Sequence, residues 1–366
     1  MNSKGIHNAI IVGAGFSRHA GLPLQSDFTE ALLEPRHQDG HKNQALVQDL
    51  SLFVHDAFDH NVDAKSAFWP DLEDIFTSID LSANAGHHLG SKYPPKELRK
   101  LRRALIARII WMLDERFNNV TNQTSREFQG LSEFFKKVDS NSTAFICMNW
   151  DTVIEQMIQR VKRISSFNYG CAALPASFPK KVGAIKREKK KTDLGSLRIV
   201  KMHGSTNWLY CDNCRQLYWF DSKDSPKIAK QLYDENNPSN NAPYWECPEC
   251  TGVRLTTRMA TFSYLKALDF PMFQRSWLTA EDILRNARKW VFIGYSLPAA
   301  DYEFKHLLKR IQVSRNKEPD FVVVTKGHNN TDTYHNYQRF FGRGIRKREN
   351  FFEEGLDVTA IEAALT

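Results

Sequence analysis

Short apolar runs that each end in glycine or polar residues constrain the fold of this chain more than any other feature. They occur at 9–12, 144–148, 197–202, 290–293 and 321–324, of which 197–202 alone contains charged residues, Arg198 and Lys201, and stretches of helical periodicity separate them. Because a strand buried on both faces of a parallel sheet is apolar throughout, these runs predict the strands of such a sheet. Their alternation with helices predicts an α/β fold with a doubly wound parallel sheet.

Four of the six cysteines form two Cys-x-x-Cys pairs. The pairs are Cys211 with Cys214 and Cys247 with Cys250, and 32 residues separate them. This spacing is typical of a zinc site rather than of disulfides. Since four thiolates complete a tetrahedral shell, we expect structural zinc (Zn2+) with no open position for catalysis.

The chain has room for insertions within its sheet. Its 366 residues predict two domains, or one large domain with insertions. Helical spacing prevails between the first two strands, where Pro95 can open a long helix. The predicted division is a main domain at 1–320, with a helical insertion at about 30–140 and a zinc-binding insertion at about 209–255, and a segment at 321–366 holding the last strand and a C-terminal helical extension.

The excess of basic residues is local. The formal net charge is +8, and the segment from Lys180 to Lys191 alone carries seven lysines and arginines against Glu188, a net of +6. This pattern predicts a solvated loop or, alternatively, a phosphate or nucleic-acid contact. No apolar run is long enough to span a membrane and the amino terminus lacks a signal-peptide pattern, so we expect a cytoplasmic protein.

Glycines follow the first and the fourth of these strands. Small residues at such a turn let a backbone approach a pyrophosphate, although the dehydrogenase spacing of three glycines is absent. A tight turn without a ligand is the alternative in both places. Ser26 and Asp27 offer N-cap chemistry for a helix after the first turn. The candidate cofactor-binding residues are Gly13, Ala14, Gly15 and Ser17 after the first strand, and Gly294, Ser296 and Asp301 after the fourth.

Polar side chains follow the second and third strands. Asn149 and Asp151 offer an amide and a carboxylate, and His203 precedes a glycine. Because ligands of open α/β sheets bind at the carboxyl ends of strands, all three are candidate catalytic residues, with the imidazole as general base. The alternatives are that Asp151 caps the following helix and that His203 is structural.

In this order, the clusters resemble those of the sirtuin superfamily, and in particular its prokaryotic NAD-hydrolysing branch. Gly13 to Ser17 resembles the family's phosphate loop, and His203-Gly204 its catalytic histidine motif. Asn149 and Asp151 match its polar pair, and the first zinc pair begins eight residues after His203. The segment from Gly294 to Asp301 is similar to the GYSLP…D element of the hydrolase branch. The resemblance implies a Rossmann-like catalytic domain with a helical insertion and a zinc ribbon.

The activity that the resemblance implies is hydrolysis of NAD+ to nicotinamide and ADP-ribose. In that reaction Asn149 would orient the ribose or the attacking water, Asp151 would hold the carboxamide, and His203 would be the base. Two departures from deacylating sirtuins favour hydrolysis over deacylation: Leu24-Gln25-Ser26 stands where they carry Asp-Phe-Arg, and the segment 260–266 replaces the start of their peptide groove. A deacylase or ADP-ribosyltransferase, and a non-catalytic nucleotide- or nucleic-acid-binding module, remain the alternatives.

The resemblance also implies a biological setting. Members of this branch act in bacterial anti-phage defence by depleting NAD, and such enzymes need a trigger. We therefore expect a homo-oligomer controlled by a partner such as a HerA-type ATPase or a short Argonaute.

Overall fold

The structure is a computed structural model. It describes residues 5–34, 41–60, 69–181, 183–188, 197–235, 245–251, 253–257, 259, 271–327 and 330–366. The strands of this part of the chain are β1 (Asn8–Val12), β2 (Thr143–Cys147), β3 (Phe167–Asn168), β4 (Ala173–Ser177), β5 (Lys186–Arg187), β6 (Leu197–Lys201), β7 (Trp208–Cys211), β8 (Leu217–Trp219), β9 (Leu255–Thr256), β10 (Lys289–Ile293), β11 (Asp320–Val324) and β12 (Phe351–Phe352).

Helices separate most of the strands of the main sheet. They are α1 (Ala14–Arg18), α2 (Phe28–Leu33), α3 (His41–Phe58), α4 (Leu72–Ala85), α5 (Pro95–Asn118), α6 (Val120–Gln123), α7 (Arg126–Lys137), α8 (Val153–Lys162), α9 (Ser225–Glu235), α10 (Pro271–Asn286), α11 (Tyr302–Ser314), α12 (Asn330–Phe341) and α13 (Val358–Leu365). None of the described helices combines the length and the apolar character that a bilayer crossing requires.

Among the described residues, seven parallel strands form the main sheet, in the order β12-β11-β10-β1-β2-β6-β3. The chain places β2 beside β1, then β3 at the edge and β6 between β2 and β3, and it returns to place β10 on the other side of β1. This reversal of direction defines a doubly wound sheet and leaves a crevice at the carboxyl end of β1. The predicted α/β class is confirmed.

Both faces of the sheet are covered. Along β1, Ile10 and Val12 pack into the core beneath the helices α2 to α5, α7 and α8, while Ala9 and Ile11 pack against α10, α11 and α12. Successive residues of a strand point to opposite faces, so β1, which has helices on both sides, is apolar at all four of these positions. The helices α2 to α7 all lie between β1 and β2, and Pro95 begins α5 as expected.

The second sheet has the order β5-β4-β8-β7-β9 and carries the first cysteine pair. Its β7 and β8 form an antiparallel hairpin, with Cys211 at the end of β7 and Cys214 in the turn. The predicted basic loop is partly strand, because β4 pairs with β5, which contains Lys186 and Arg187. Both of these cations are exposed, and residues 189–191 lie outside the described residues.

Two other expectations are wrong. The run at 321–324 is not the last strand, because β12 continues the sheet beyond it; two residues are too few to show a periodic pattern. Ser26 and Asp27 do not cap a helix with their side chains. They bond to each other, Ser26 Oγ donating to Asp27 Oδ1 at 2.8 Å, and the helix that follows Gly13 begins at Ala14.

Candidate active site and metal centre

A cavity of about 590 Å³ opens at the carboxyl ends of five neighbouring strands, from β11 through β10, β1 and β2 to β6. Parallel strands present their carboxyl ends at one edge, so residues far apart in sequence meet there. The residues predicted for catalysis and for cofactor binding all line this cavity: Gly13, Ala14, Gly15, Ser17, Asn149, Asp151, His203, Gly294, Ser296 and Asp301.

The glycines of the cavity face one another. A Cβ atom on Gly13 would lie 2.7 Å from the carbonyl oxygen of Gly294, and one on Gly15 would lie 2.8 Å from the Gly294 Cα. The Gly15 amide donates to the Gly294 carbonyl at 2.9 Å. We expected these glycines to admit a pyrophosphate to the backbone. In the structure they admit a neighbouring loop, because no side chain fits between the turns after β1 and β10.

Ser17, Asn149 and Asp151 form one hydrogen-bonded group. The Ser17 hydroxyl donates to Asp151 Oδ2 at 2.6 Å and accepts from Asn149 Nδ2 at 2.9 Å. Asn149 Nδ2 also donates to the Gly13 carbonyl at 2.8 Å. Both amide hydrogens of Asn149 are therefore used within the protein, and its carbonyl oxygen is the atom it can offer to a ligand.

Asp151 has a structural contact as well. Its Oδ1 accepts the amide hydrogen of Val153 at 3.0 Å, at the start of α8. The helix-capping alternative is thus observed, while Asp151 also lines the cavity. A carboxylate has about four lone-pair directions, so these two bonds leave acceptor capacity for a ligand.

His203 has its ring fixed by the backbone. Its Nδ1 lies 3.1 Å from the Met148 carbonyl oxygen, and the side chain is buried with 7% exposed. A carbonyl accepts only, so Nδ1 must carry a proton for this bond to form. In the neutral ring Nε2 then holds the lone pair, which is the tautomer that a general base needs.

Asp301 is held by a tyrosine of the turn after β10. The Tyr295 hydroxyl donates to Asp301 Oδ2 at 2.8 Å, and the Tyr337 hydroxyl donates to the Tyr295 carbonyl at 2.7 Å. Burial, together with the Asp301 carboxylate, raises the pKa of Tyr295 well above its usual value. Tyr295 therefore stays protonated and keeps donating to the carboxylate.

Other parts of the cavity wall were not predicted. Thr325, Lys326 and Gly327 follow β11, and their position after a predicted strand was a signal that could have identified them. Further wall residues come from the turn before α2, from the start of α2, and from α4 and α5. No sequence signal identifies them, because helix packing brings them to the cavity. They include Leu24, Gln25, Ser26, Asp27, Phe28, Glu73 and Leu113.

The four predicted metal ligands converge. The Sγ atoms of Cys211, Cys214, Cys247 and Cys250 all lie within 4.8 Å of one another, and those of Cys214 and Cys247 are 3.6 Å apart. A tetrahedron with Zn–S bonds of about 2.3 Å has sulfur atoms about 3.8 Å apart. The donor set therefore fits zinc. These four cysteines could hold the ion, with the strands β7 to β9 as their support.

No protein-family model matches the chain, and no curated protein matches it in sequence. Solved sirtuin structures match along most of its length. One, from work on sirtuin substrate affinity, is 13% identical with a TM-score of 0.42 and covers 98% of this chain and 93% of its own. Sir2 bound to acetylated peptide is 14% identical with a TM-score of 0.34, and Sir2 with a p53 peptide and NAD+ is 14% identical with a TM-score of 0.33; both matches cover 98% of this chain and 90% of the other. At these identities and TM-scores the likeness carries no argument about activity.

Proposed function

We propose that this protein hydrolyses NAD+ to nicotinamide and ADP-ribose. The observation that carries the proposal is the cavity that runs from His203 at β6 to Thr325 at β11, past the turns after β2, β1 and β10. Five strand ends about 4.8 Å apart span about 19 Å, which suits an extended dinucleotide rather than a mononucleotide. The crevice lies where the strand order reverses, the place where doubly wound sheets bind dinucleotides.

The end of the cavity at β2 and β6 has groups suited to breaking the bond between nicotinamide and ribose. Cleavage of that bond passes through a transition state with positive charge on the ribose. A fixed carboxylate such as Asp151 stabilises this charge. Asp151 can also accept a hydrogen bond from the carboxamide. The Asn149 carbonyl oxygen orients a ribose hydroxyl or the attacking water, and His203 Nε2 accepts its proton.

The other half of the cavity would hold the adenosine. Gly13, Ala14 and Gly15 form the wall beside the diphosphate, with Ser296 and Asp301 near a ribose. Ser17 acts through Asn149 and Asp151, because its hydroxyl is bonded to both and only 2% of the residue is exposed. Zinc would be structural, since four thiolates leave no open coordination position.

The test is nicotinamide release from NAD+ by the purified protein, without any acylated peptide. We expect turnover by the wild type and its loss in His203→Ala and in Asn149→Ala. His306→Ala is the matched control, because His306 is exposed on α11. Turnover that survives in both site variants would refute these roles. Turnover that strictly requires an acylated peptide would instead favour a deacylase.

The biological setting belongs to the same proposal. Depletion of NAD during phage infection, by a homo-oligomer under the control of a HerA-type ATPase or a short Argonaute, follows from the sirtuin-like resemblance. Cells that express the His203→Ala variant should keep their NAD after infection, while cells with the wild type should lose it. Equal NAD levels in the two would contradict the defence role.

A further inference from the structure

A buried ion pair lies directly behind the loop that follows β2. Lys201, the last residue of β6, has its Nζ 3.2 Å from Glu155 Oε1 in the first turn of α8, and both side chains are 0% exposed. Taking two charges out of water costs several kcal/mol for each ion, and a pair of apolar residues in the same place is often as stable. Stability alone therefore does not account for this pair.

Lys201 also reaches the loop itself. Its ammonium group donates a hydrogen bond to the backbone carbonyl of Asp151. Burial acts to lower the pKa of Lys201, but the neighbouring Cys147, Glu155 and Asp151 raise it above its usual value. The ammonium therefore stays charged and ties the loop after β2 to the strand that leads to His203.

The Glu155 oxygen that faces Lys201 has a second partner. The Tyr169 hydroxyl donates to Glu155 Oε1 at 3.2 Å. Glu155 Oε2 is buried without a hydrogen-bond partner in the part of the chain that the structure describes. A carboxylate with one unpaired buried oxygen costs further stability, which again indicates that its benefit lies elsewhere.

We infer that Lys201 and Glu155 are positioning residues that fix Asp151 and His203 relative to each other for the glycosidic bond; this rests on the proposed NAD+ hydrolysis. Lys201 precedes His203 by two residues on one strand end, and it holds the Asp151 carbonyl while the Asp151 carboxylate faces the cavity. A displacement of about 1 Å between groups of this kind can reduce turnover on the order of 10²-fold.

The test separates positioning from stability with paired substitutions. Lys201→Met leaves Glu155 buried without its counterion and should lower both the melting temperature and kcat. The double variant Lys201→Met, Glu155→Met removes both charges at similar volume, so the melting temperature should recover. Its kcat for nicotinamide release should stay reduced on the order of 10²-fold, with the Kd for ADP-ribose, measured by calorimetry, unchanged.

Arg108→Met is the matched control for loss of a buried cation. Arg108 is fully buried in α5 and donates to the carbonyls of Leu32 and Glu34, away from the cavity. This variant should lose stability and keep its kcat at a temperature where it is folded. If the double variant does not fold, Glu155→Gln, which removes the charge and keeps the shape, should show the reduced kcat with an unchanged Kd.

The outcomes are distinct. A double variant, or Glu155→Gln in its place, that turns over NAD+ at the rate of an active wild type would overturn the positioning role alone. A wild type that releases no nicotinamide would overturn the proposed hydrolysis and, with it, this inference. If the double variant recovers the melting temperature and its kcat stays reduced, the inference is supported.

Discussion

Substitution of Gly294 by alanine tests whether the turns after β1 and β10 must touch. Gly294 has a φ of +60°, and a Cβ atom there would lie 2.0 Å from the Phe16 amide nitrogen and 2.2 Å from the Gly15 carbonyl carbon. These neighbours are backbone atoms, so no side-chain rotation can relieve the overlap. The turn after β1 would have to move away from β10, and Gly13 and Asn149 would move with it.

The loss of stability has two contributions. The left-handed conformation costs an alanine about 1 kcal/mol relative to glycine. Displacement of well-packed neighbours adds about 1–3 kcal/mol. We therefore expect Gly294→Ala to lower the free energy of unfolding by about 2–4 kcal/mol.

Gly86 provides the control, because it shares the conformation without the contact. It follows α4 with a φ of +74°, and a Cβ atom there would have no heavy atom within 4 Å. Gly86→Ala should therefore cost only about 1 kcal/mol. The difference between the two variants measures the contact between the turns.

The assay is urea unfolding of both variants, with nicotinamide release measured below their transitions. Gly294→Ala should lose more stability than Gly86→Ala and should lose turnover as well, because Asn149 is bonded to the turn that moves. Equal losses of stability at the two positions would refute the close contact. Normal turnover in a destabilised Gly294→Ala would show that the contact matters for folding and not for the site.

Two further predictions concern the metal and the pH dependence. The purified protein should contain zinc, and replacement of Cys211 and Cys214 by serine should remove it. Cys171 lies outside the cluster, so Cys171→Ser should retain the zinc. Elemental analysis that finds the same zinc content in both variants would contradict the site. Burial raises the pKa of Asp114 from 3.8 to about 6, so its contribution to stability is complete below about pH 4 and is lost as the pH rises through about 6. Asp114→Asn should therefore raise the urea midpoint at pH 7.5 and leave it unchanged near pH 4, and an effect of equal size at both pH values would contradict the role of ionisation.

The main sheet could be predicted wherever a strand is long enough to show its pattern. The strands β1, β2, β6, β10 and β11 each have five residues and lie within one or two residues of their predicted positions. The strands β3 and β12 have two residues each, so no periodicity distinguishes them from loops. Tertiary contacts define them: β12 exists because Phe351 and Phe352 pair with β11.

The composition of the candidate site could be predicted because one rule covers most of it. Polar residues at the carboxyl ends of parallel strands meet at one edge, so Asn149, Asp151 and His203 could be grouped without knowledge of their distances. The same rule extends to Thr325, which follows β11. The wall from Glu73 and Leu113 follows no such rule, because it depends on how α4 and α5 pack over the sheet.

What each residue does in the site was harder to predict than its place. We predicted that the glycines after β1 let the backbone approach a pyrophosphate, yet the space beside Gly13 and Gly15 is filled by Gly294. A glycine in such a turn indicates that a Cβ atom does not fit at that position. It does not indicate whether a ligand or another loop occupies the space. The same holds for Lys201. A lysine at the end of a mostly apolar strand gives no sign of its partner, because Glu155 lies 46 residues earlier in the sequence and meets it only when α8 packs beside β6. Side chains that act through one another therefore remain the part of such a site that only three-dimensional contacts can identify.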